Sequence, residues 1–208
     1  MGLVRNISWA RAASGALGLI AIIGTYCLAA SQGGVITLVR TNLSTRSISS
    51  PISNLEVSLK QTCASPPAIR AIVTNNNSFP VTVVTYDSPL DNLALKLGLL
   101  SITLEGSSSP LPLPIVGARR IWPPPPESLV TIAAGESAAT DIDMGGPKFG
   151  VELFESSSRA SVTLVGNWHA VWPKDKSSLE NFNLGSASPD PDVYSGPFAS
   201  ETLAISIG

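Results

Sequence analysis

The sequence predicts an all-β protein built around a single antiparallel β-sandwich. Short runs of alternating or β-branched apolar residues recur along the chain and are separated by Asn, Ser, Gly and Pro, the pattern of strands joined by turns. Gly and Pro each occur 17 times and charged residues make up only 13% of the chain, which favours a loop-rich β protein over a helical one. Hydrophobic residues make up 44%, so a sizeable core can form. The 208 residues fit one domain and a targeting segment.

The N-terminus is expected to form an apolar targeting helix. Arg5 and Arg11 precede an uncharged stretch over residues 12–30, and the small residues at 29–31 suit signal peptidase. The stretch also approaches the roughly 20 residues that span a bilayer. Residues 1–31 are therefore either a cleaved signal peptide or an uncleaved signal anchor. Because arginines on the N-terminal side resist translocation, the rest of the chain is expected in the secretory pathway and outside the cell, free or membrane-anchored.

A linker rich in Ser and Thr is expected over residues 32–51, followed by the β-sandwich domain over residues 52–208. Cys27 lies in the targeting segment, so Cys63 is the lone cysteine of the exported part and cannot form an internal disulfide. We expect Cys63 to be a small, partly buried side chain, with an intermolecular bridge as the alternative. The domain would then depend on core burial for its stability.

Seven short strands are expected in this domain. In the first, Leu55, Val57 and Leu59 alternate with Glu56 and Ser58, the period of a strand with one buried face. The full set covers residues 55–59, the neighbourhood of Ile72, 81–84, 97–104, 129–132, 162–165 and 203–207. Strands of this length with polar turns and no long helical period predict Ig-like architecture.

The segments between these strands are expected to be irregular. Residues 110–126 are dense in proline, which cannot donate to a strand ladder, so they are predicted to form an extended surface loop or edge. Residues 134–137 are expected to form a turn and residues 173–197 a coil. The predicted core side chains are Leu55, Val57, Val83, Ile132, Val162 and Leu164.

The sequence is compatible with two roles for three of the tryptophans. Trp122, Trp168 and Trp172 can form a recognition patch beside the loops, or they can cap the end of the sandwich core. Large aromatics are buried more often than they are displayed, so capping is the expected role.

Two kinds of modification site are predicted. Asn42 and Asn76 each begin a tripeptide that fits the N-glycosylation pattern, and Asn76 lies in an expected turn. Arg119 and Arg120 form a dibasic pair, which predicts a processing site. The prolines at 123–126 should keep the neighbouring backbone extended and accessible, so limited proteolysis is expected to begin there.

The residue types needed for catalysis are scarce, and we predict that the protein is not an enzyme and takes no cofactor. His169 is the one histidine, so the two imidazoles of a His-Glu-x-x-His zinc site cannot be supplied. No nucleophile-elbow pattern accompanies it, which favours a satisfied structural histidine over a Ser-His-Asp base. Two pairs of carboxylates could bind Ca²⁺ weakly, although solvated turn acids are the expected role: Asp141 with Asp143, and Asp190 with Asp192. The net charge of -2, without long runs of either sign, excludes a nucleic-acid binder.

Five segments spread over roughly residues 52–207 form a recognisable series: 55–59, 71–75, 86–91, 130–137 and 198–207. In their order and spacing they resemble the pro-region of deuterolysin-type fungal zinc metalloproteases, without the protease domain. Ala134 stands where that family usually has proline before Gly-Glu-Ser. The proline-dense 110–126 and the long 173–197 depart from the pattern.

The resemblance implies a domain that assists folding and latency of a protease. The predicted function is therefore that of an exported, non-enzymatic β-sandwich protein that binds a protein partner and inhibits a secreted metalloprotease. The alternative is a secreted or membrane-tethered structural protein of a fungus with no protease partner. A membrane is expected as a partner only if the N-terminal segment stays uncleaved.

Overall fold

The computed structural model describes residues 50–145, 154, 157–179 and 192–208. The expected targeting helix and most of the linker lie outside these residues. The described part contains nine strands and three short 3-10 helices, and no helix in it is long and apolar enough to cross a membrane. The strands are β1 (Leu55–Ala64), β2 (Pro67–Asn75), β3 (Val81–Val84), β4 (Leu100–Leu104), β5 (Leu129–Ile132), β6 (Ser137–Asp143), β7 (Arg159–Trp172), β8 (Tyr194–Ala199) and β9 (Leu203–Ser206). The helices are η1 (Pro51–Asn54), η2 (Pro126–Ser128) and η3 (Lys176–Ser178).

All strand pairs are antiparallel, and they form two sheets. One sheet has the order β1-β2-β6, so β1 and β6 are its edges. The other is organised by the long strand β7. The first half of β7 pairs with β4 and β9, and the second half pairs with β3 and β8, while β5 extends the sheet beyond β3. The all-β prediction and the antiparallel sheets are confirmed.

The core lies between the two sheets and follows the alternation of the sequence. In β2, Ile69, Ala71 and Val73 are fully buried, whereas the residues between them are exposed or half-buried. Side chains of both sheets contribute to one continuous cluster. The six core residues predicted from the sequence are all buried, which confirms that part of the prediction: Leu55, Val57, Val83, Ile132, Val162 and Leu164.

A change of register in β7 gives the larger sheet a second buried face. The pairing of β7 with β8 is irregular between Trp168 and Val171. Because an extra residue exchanges the two faces of a strand, Trp168 and Val171 both face the main core, while Ala170 and Trp172 join a smaller cluster. That cluster also contains Val84, Tyr86, Leu129 and Leu179. Trp168 and Trp172 are buried, as expected of core-capping residues, whereas Trp122 is half exposed.

Two strands were not predicted, and the expected coil over residues 173–197 is wrong at its end, where β8 begins. Strand β6 buries Ile142 and otherwise consists of small or polar residues, because it is an exposed edge. Strand β8 contains Gly196 and Pro197, which usually mark the end of a strand. The fourth strand begins at Leu100 rather than at residue 97, since Gly98 has a φ of 75° and ends a series of turns.

The turn between β2 and β3 is organised by buried asparagine side chains. The Asn75 Nδ2 donates to the backbone oxygens of Phe79, Ile132 and Ala133, at 2.9, 2.9 and 3.2 Å. Its Oδ1 accepts from the backbone N and the Nδ2 of Asn77, at 3.0 and 2.8 Å. Side-chain amides thus satisfy the backbone groups that this turn would otherwise bury unpaired.

Candidate functional site

An open groove lies between the edge strand β1 and the β8–β9 turn. Its volume is about 480 Å³, and it is lined by Leu55–Leu59 on one side and by Ala199 and residues 201–203 on the other. We call it the edge groove. Strand β1 pairs only with β2 and β9 pairs only with β7 among the described strands, so each presents one backbone edge without a strand partner.

The Gln61 side chain joins the two strand edges beside the groove. Its Nε2 donates to the Ser206 backbone O at 2.6 Å, and its Oε1 accepts from the Ser206 backbone N at 3.0 Å. The side-chain amide therefore takes the place of a neighbouring peptide group for one residue of β9. The backbone of β9 is satisfied at this position without a strand ladder between β1 and β9.

The charged side chains that line the groove are both acidic. Glu56 and Glu201 are exposed on opposite sides of it. The Glu56 Oε2 accepts a hydrogen bond of 3.1 Å from Asn76 Nδ2, a neutral partner that leaves the carboxylate charge uncompensated. An extended ligand in this groove would meet a strand edge together with two negative charges.

A second feature is the proline loop, residues 110–126, which is held by the buried carboxylate of Asp91. One oxygen of Asp91 accepts from the backbone N of Leu93 and the other from that of Asp87, both at 2.9 Å. The second oxygen also forms an ion pair with Arg120 of the loop. The Arg120 guanidinium lies over the Tyr86 ring, 4.8 Å from its centroid.

Backbone contacts hold the loop at two further points. Leu111 N donates to Ile102 O at 2.7 Å, and Val116 N donates to Lys96 O at 2.9 Å. Ile115 packs against Gly98 so closely that a Cβ built on the glycine would lie 2.8 Å from the Ile115 Cδ1. The loop therefore has a defined path across the domain, although it contains no strand.

His169 lies on the surface at the irregularity of β7. Its ring centroid is 6.4 Å from that of Trp122, and its Nδ1 is 3.9 Å from an oxygen of Asp87. This distance is too long for a hydrogen bond, so the contact with Asp87 is a weak, solvated electrostatic one. The expected satisfied structural histidine is thus an exposed residue, with 57% of its side chain accessible.

The predicted modification sites have different outcomes. Asn76 is exposed in the β2–β3 turn and Asn42 lies outside the described residues, so glycosylation stays a prediction. Arg119 is exposed, but the Arg120 side chain is only 24% exposed because it is held by Asp91. Processing at this pair stays a prediction too, with one of its two arginines engaged in the folded domain.

The acidic pairs do not form a metal site in the part of the chain that is described. Asp141 binds Arg70 through two hydrogen bonds, which hold the pKa of that carboxyl below its usual range. Asp143 accepts from Gly145 N at 2.8 Å, and Asp192 pairs with Lys174 at 3.3 Å. Asp190 lies outside the described residues. Cys63 is free and exposed, which corrects the expected partial burial.

The two antiparallel sheets define a β-sandwich of the Ig-like class, and comparison with known proteins agrees. A model of the immunoglobulin-like domain matches residues 54–207, so the chain belongs to that family. A relative from Arthroderma benhamiae, described as an uncharacterized secreted protein, is 28% identical over 141 residues. The match covers 67% of this chain and 69% of the relative.

Proposed function

We propose that this protein is an exported, non-enzymatic Ig-like protein that binds an extended segment of a partner protein in the edge groove. The observation that carries the proposal is the backbone edge of β1 facing the β8–β9 turn across an open groove. An extended peptide can add to such an edge through main-chain hydrogen bonds, while side chains that line the groove supply specificity. Glu56 and Glu201 favour a segment that carries Lys or Arg.

Export is supported by two observations. Arginines precede an uncharged stretch at the N-terminus, and the relative from Arthroderma benhamiae is described as secreted. The non-enzymatic assignment rests on the scarcity of catalytic side chains. The one histidine lies on the surface between Trp122 and Asp87 rather than in a buried cleft.

The proposed partner is a secreted metalloprotease of the deuterolysin type. The supporting argument is the resemblance of five segments to that family's pro-region, and two of these segments line the edge groove: 55–59 and the end formed by 198–207. A pro-region-like domain that holds an extended segment of the protease in its edge groove would lower the rate at which the protease cleaves its substrates.

The test uses a mature deuterolysin-type protease and, separately, a synthetic extended peptide that alternates Lys with Val. The double variant Glu56→Lys, Glu201→Lys should weaken binding of both probes at least about tenfold, because like charges then face each other. Glu105→Lys changes an exposed carboxylate outside the groove and should leave binding unchanged. Binding of the peptide without inhibition of the protease would contradict the proposed partner but retain the groove. No binding of either probe at micromolar protein would overturn the groove and favour a structural role.

A separate measurement addresses catalysis. The purified protein is expected to hold no stoichiometric zinc and to hydrolyse neither casein nor simple esters. Zinc that survives dialysis and is lost in His169→Ala would contradict the non-enzymatic assignment.

A further inference from the structure

The proline loop concentrates the apolar side chains that the domain exposes. Five large hydrophobic residues are exposed in the described part of the chain, and four of them lie within residues 115–122. Ile115 and Ile121 are 70% and 71% exposed, Trp122 is 50% exposed and Val116 is 48% exposed. The fifth, Val165, lies on β7. Because single exposed apolar residues are common but a local cluster is not, this cluster marks a contact surface.

Exposed cations lie beside the cluster. Arg119 is exposed between Val116 and Ile121, and Lys96 is exposed next to the loop, where its backbone O accepts from Val116 N. Because Arg120 is paired with Asp91, the exposed charges over residues 91–122 are those of Lys96, Glu105 and Arg119. The apolar cluster is thus flanked by two exposed cations, although the chain as a whole has a net charge of -2.

The cluster is also held in place before any partner arrives. Arg120, directly before Ile121, is fixed by Asp91 and Tyr86, and Ile115 packs on Gly98. Side chains displayed from a fixed backbone lose little conformational freedom on binding.

We propose that residues 115–122 insert into the surface of a lipid bilayer that contains anionic lipids. Transfer of isoleucine and valine side chains from water to the boundary between lipid headgroups and acyl chains lowers their free energy. Tryptophan side chains are enriched at the same boundary. Lys96 and Arg119 would then lie at the level of anionic headgroups, which attract them. A protein partner at this surface is the competing possibility, but the cluster is a set of protruding aliphatic side chains with a basic flank, the combination that an anionic bilayer recognises. This surface is distinct from the edge groove, so the two proposals stand independently.

The experiment follows Trp122 in the full chain, added to vesicles of phosphatidylcholine alone or with phosphatidylserine. Brominated lipids quench tryptophan that enters the bilayer, and the Trp122 signal is the difference between the protein and its Trp122→Phe variant. We expect quenching of that signal, stronger with phosphatidylserine. Lys96→Ala and Arg119→Ala should each lower the association constant of the loop with anionic vesicles by roughly fivefold. Ile121→Asp should abolish the quenching.

The control places a reporter at the exposed apolar position outside the loop. In Trp122→Phe, Val165→Trp, the new tryptophan should not be quenched, and an unchanged unfolding midpoint should verify that each variant folds. Equal quenching at both positions, or no quenching of Trp122 in anionic vesicles, would overturn the proposal. So would a blue shift of Trp122 that depends on protein concentration without vesicles, because another copy of the chain would then cover the loop.

Discussion

The β2–β3 turn and the proline loop both connect strands, yet they are held in opposite ways. In the turn, the amide of Asn75 makes five hydrogen bonds inside the protein, and the polar groups are buried. In the proline loop, one buried ion pair, Asp91 with Arg120, and a few backbone contacts hold the path, and apolar side chains face outward. The arrangement of polar and apolar groups in the loop is thus the reverse of that in the turn.

This difference separates a structural connection from one available for contact. A turn whose polar groups are hydrogen-bonded to one another contributes to the stability of the fold. It has few unpaired donors or acceptors left to bind a partner molecule. A loop fixed at a few points leaves most of its side chains free for a partner. Substitutions in the turn should therefore mainly lower the free energy of unfolding. Substitutions in the loop should also change how accessible its backbone is to a protease.

The largest effect is expected from Asn75→Ala. The change removes the hydrogen bonds of the Asn75 amide to three carbonyl oxygens and to the Asn77 backbone N–H. Of the three oxygens, that of Ala133 keeps a bond from Glu136 N. Loss of these bonds in a buried site should lower the free energy of unfolding by about 3–5 kcal/mol. Chemical denaturation of unglycosylated protein measures it. The neighbouring Asn76→Ala removes one exposed hydrogen bond to Glu56 and should change stability by less than about 0.5 kcal/mol. Similar losses for the two variants would contradict the role assigned to Asn75.

A smaller loss of stability, with a change of accessibility, is expected from Asp91→Ala. Removing the carboxylate leaves Arg120 without its ion-pair partner and the backbone N–H groups of Asp87 and Leu93 without their acceptor, at a total cost of about 3 kcal/mol. Trypsin should then cut after Arg120 faster than in the parent protein, as mass spectrometry of early fragments would report. Asp141→Ala breaks an ion pair that is exposed on both sides and should leave cleavage after Arg120 unchanged. Unaltered cleavage in Asp91→Ala would show that the ion pair does not hold the loop.

The smallest effect concerns acid stability at the exposed edge of β6. Hydrogen bonds from Arg70 lower the pKa of Asp141 in the folded state, so this pair stabilises the fold above the ordinary aspartate pKa of about 3.9. That contribution is lost as pH falls through the lowered folded-state pKa. The difference in unfolding midpoint between the parent and Asp141→Asn should therefore shrink on acidification, and also at high salt. A difference that grows on acidification would contradict this assignment.

Strand positions and core residues could be predicted from the sequence where apolar residues alternate with polar ones, because such a strand buries one face. The first strand and the six core residues follow from that period alone. Strand β6 was missed because an exposed edge needs only Ile142 to be apolar, and β8 because Gly196 and Pro197 resemble a turn. The reversal of faces in β7 was also invisible, since an irregular pairing depends on the partner strand.

The contact features depend on residues that are distant in sequence. Asp91 and Arg120 are 29 positions apart, and the two sides of the edge groove come from opposite ends of the domain. In the sequence, residues 86–91 stand out only as a segment that resembles the pro-region, and the structure is needed to show that the Asp91 carboxylate is buried beside Arg120. Exposure of Ile115 and Ile121 likewise cannot be predicted from a proline-rich stretch, because apolar residues there could equally have turned inward.

The Gln61 side chain sets a limit on what the edge groove can accept. Because its amide occupies both backbone groups of Ser206, a guest strand that pairs with β9 must end before that residue. A guest on the β1 edge can therefore also pair with β9 only over residues 203–205. A side-chain amide thus closes the free edge of β9 at its C-terminal end, as proteins commonly do to limit edge-to-edge association.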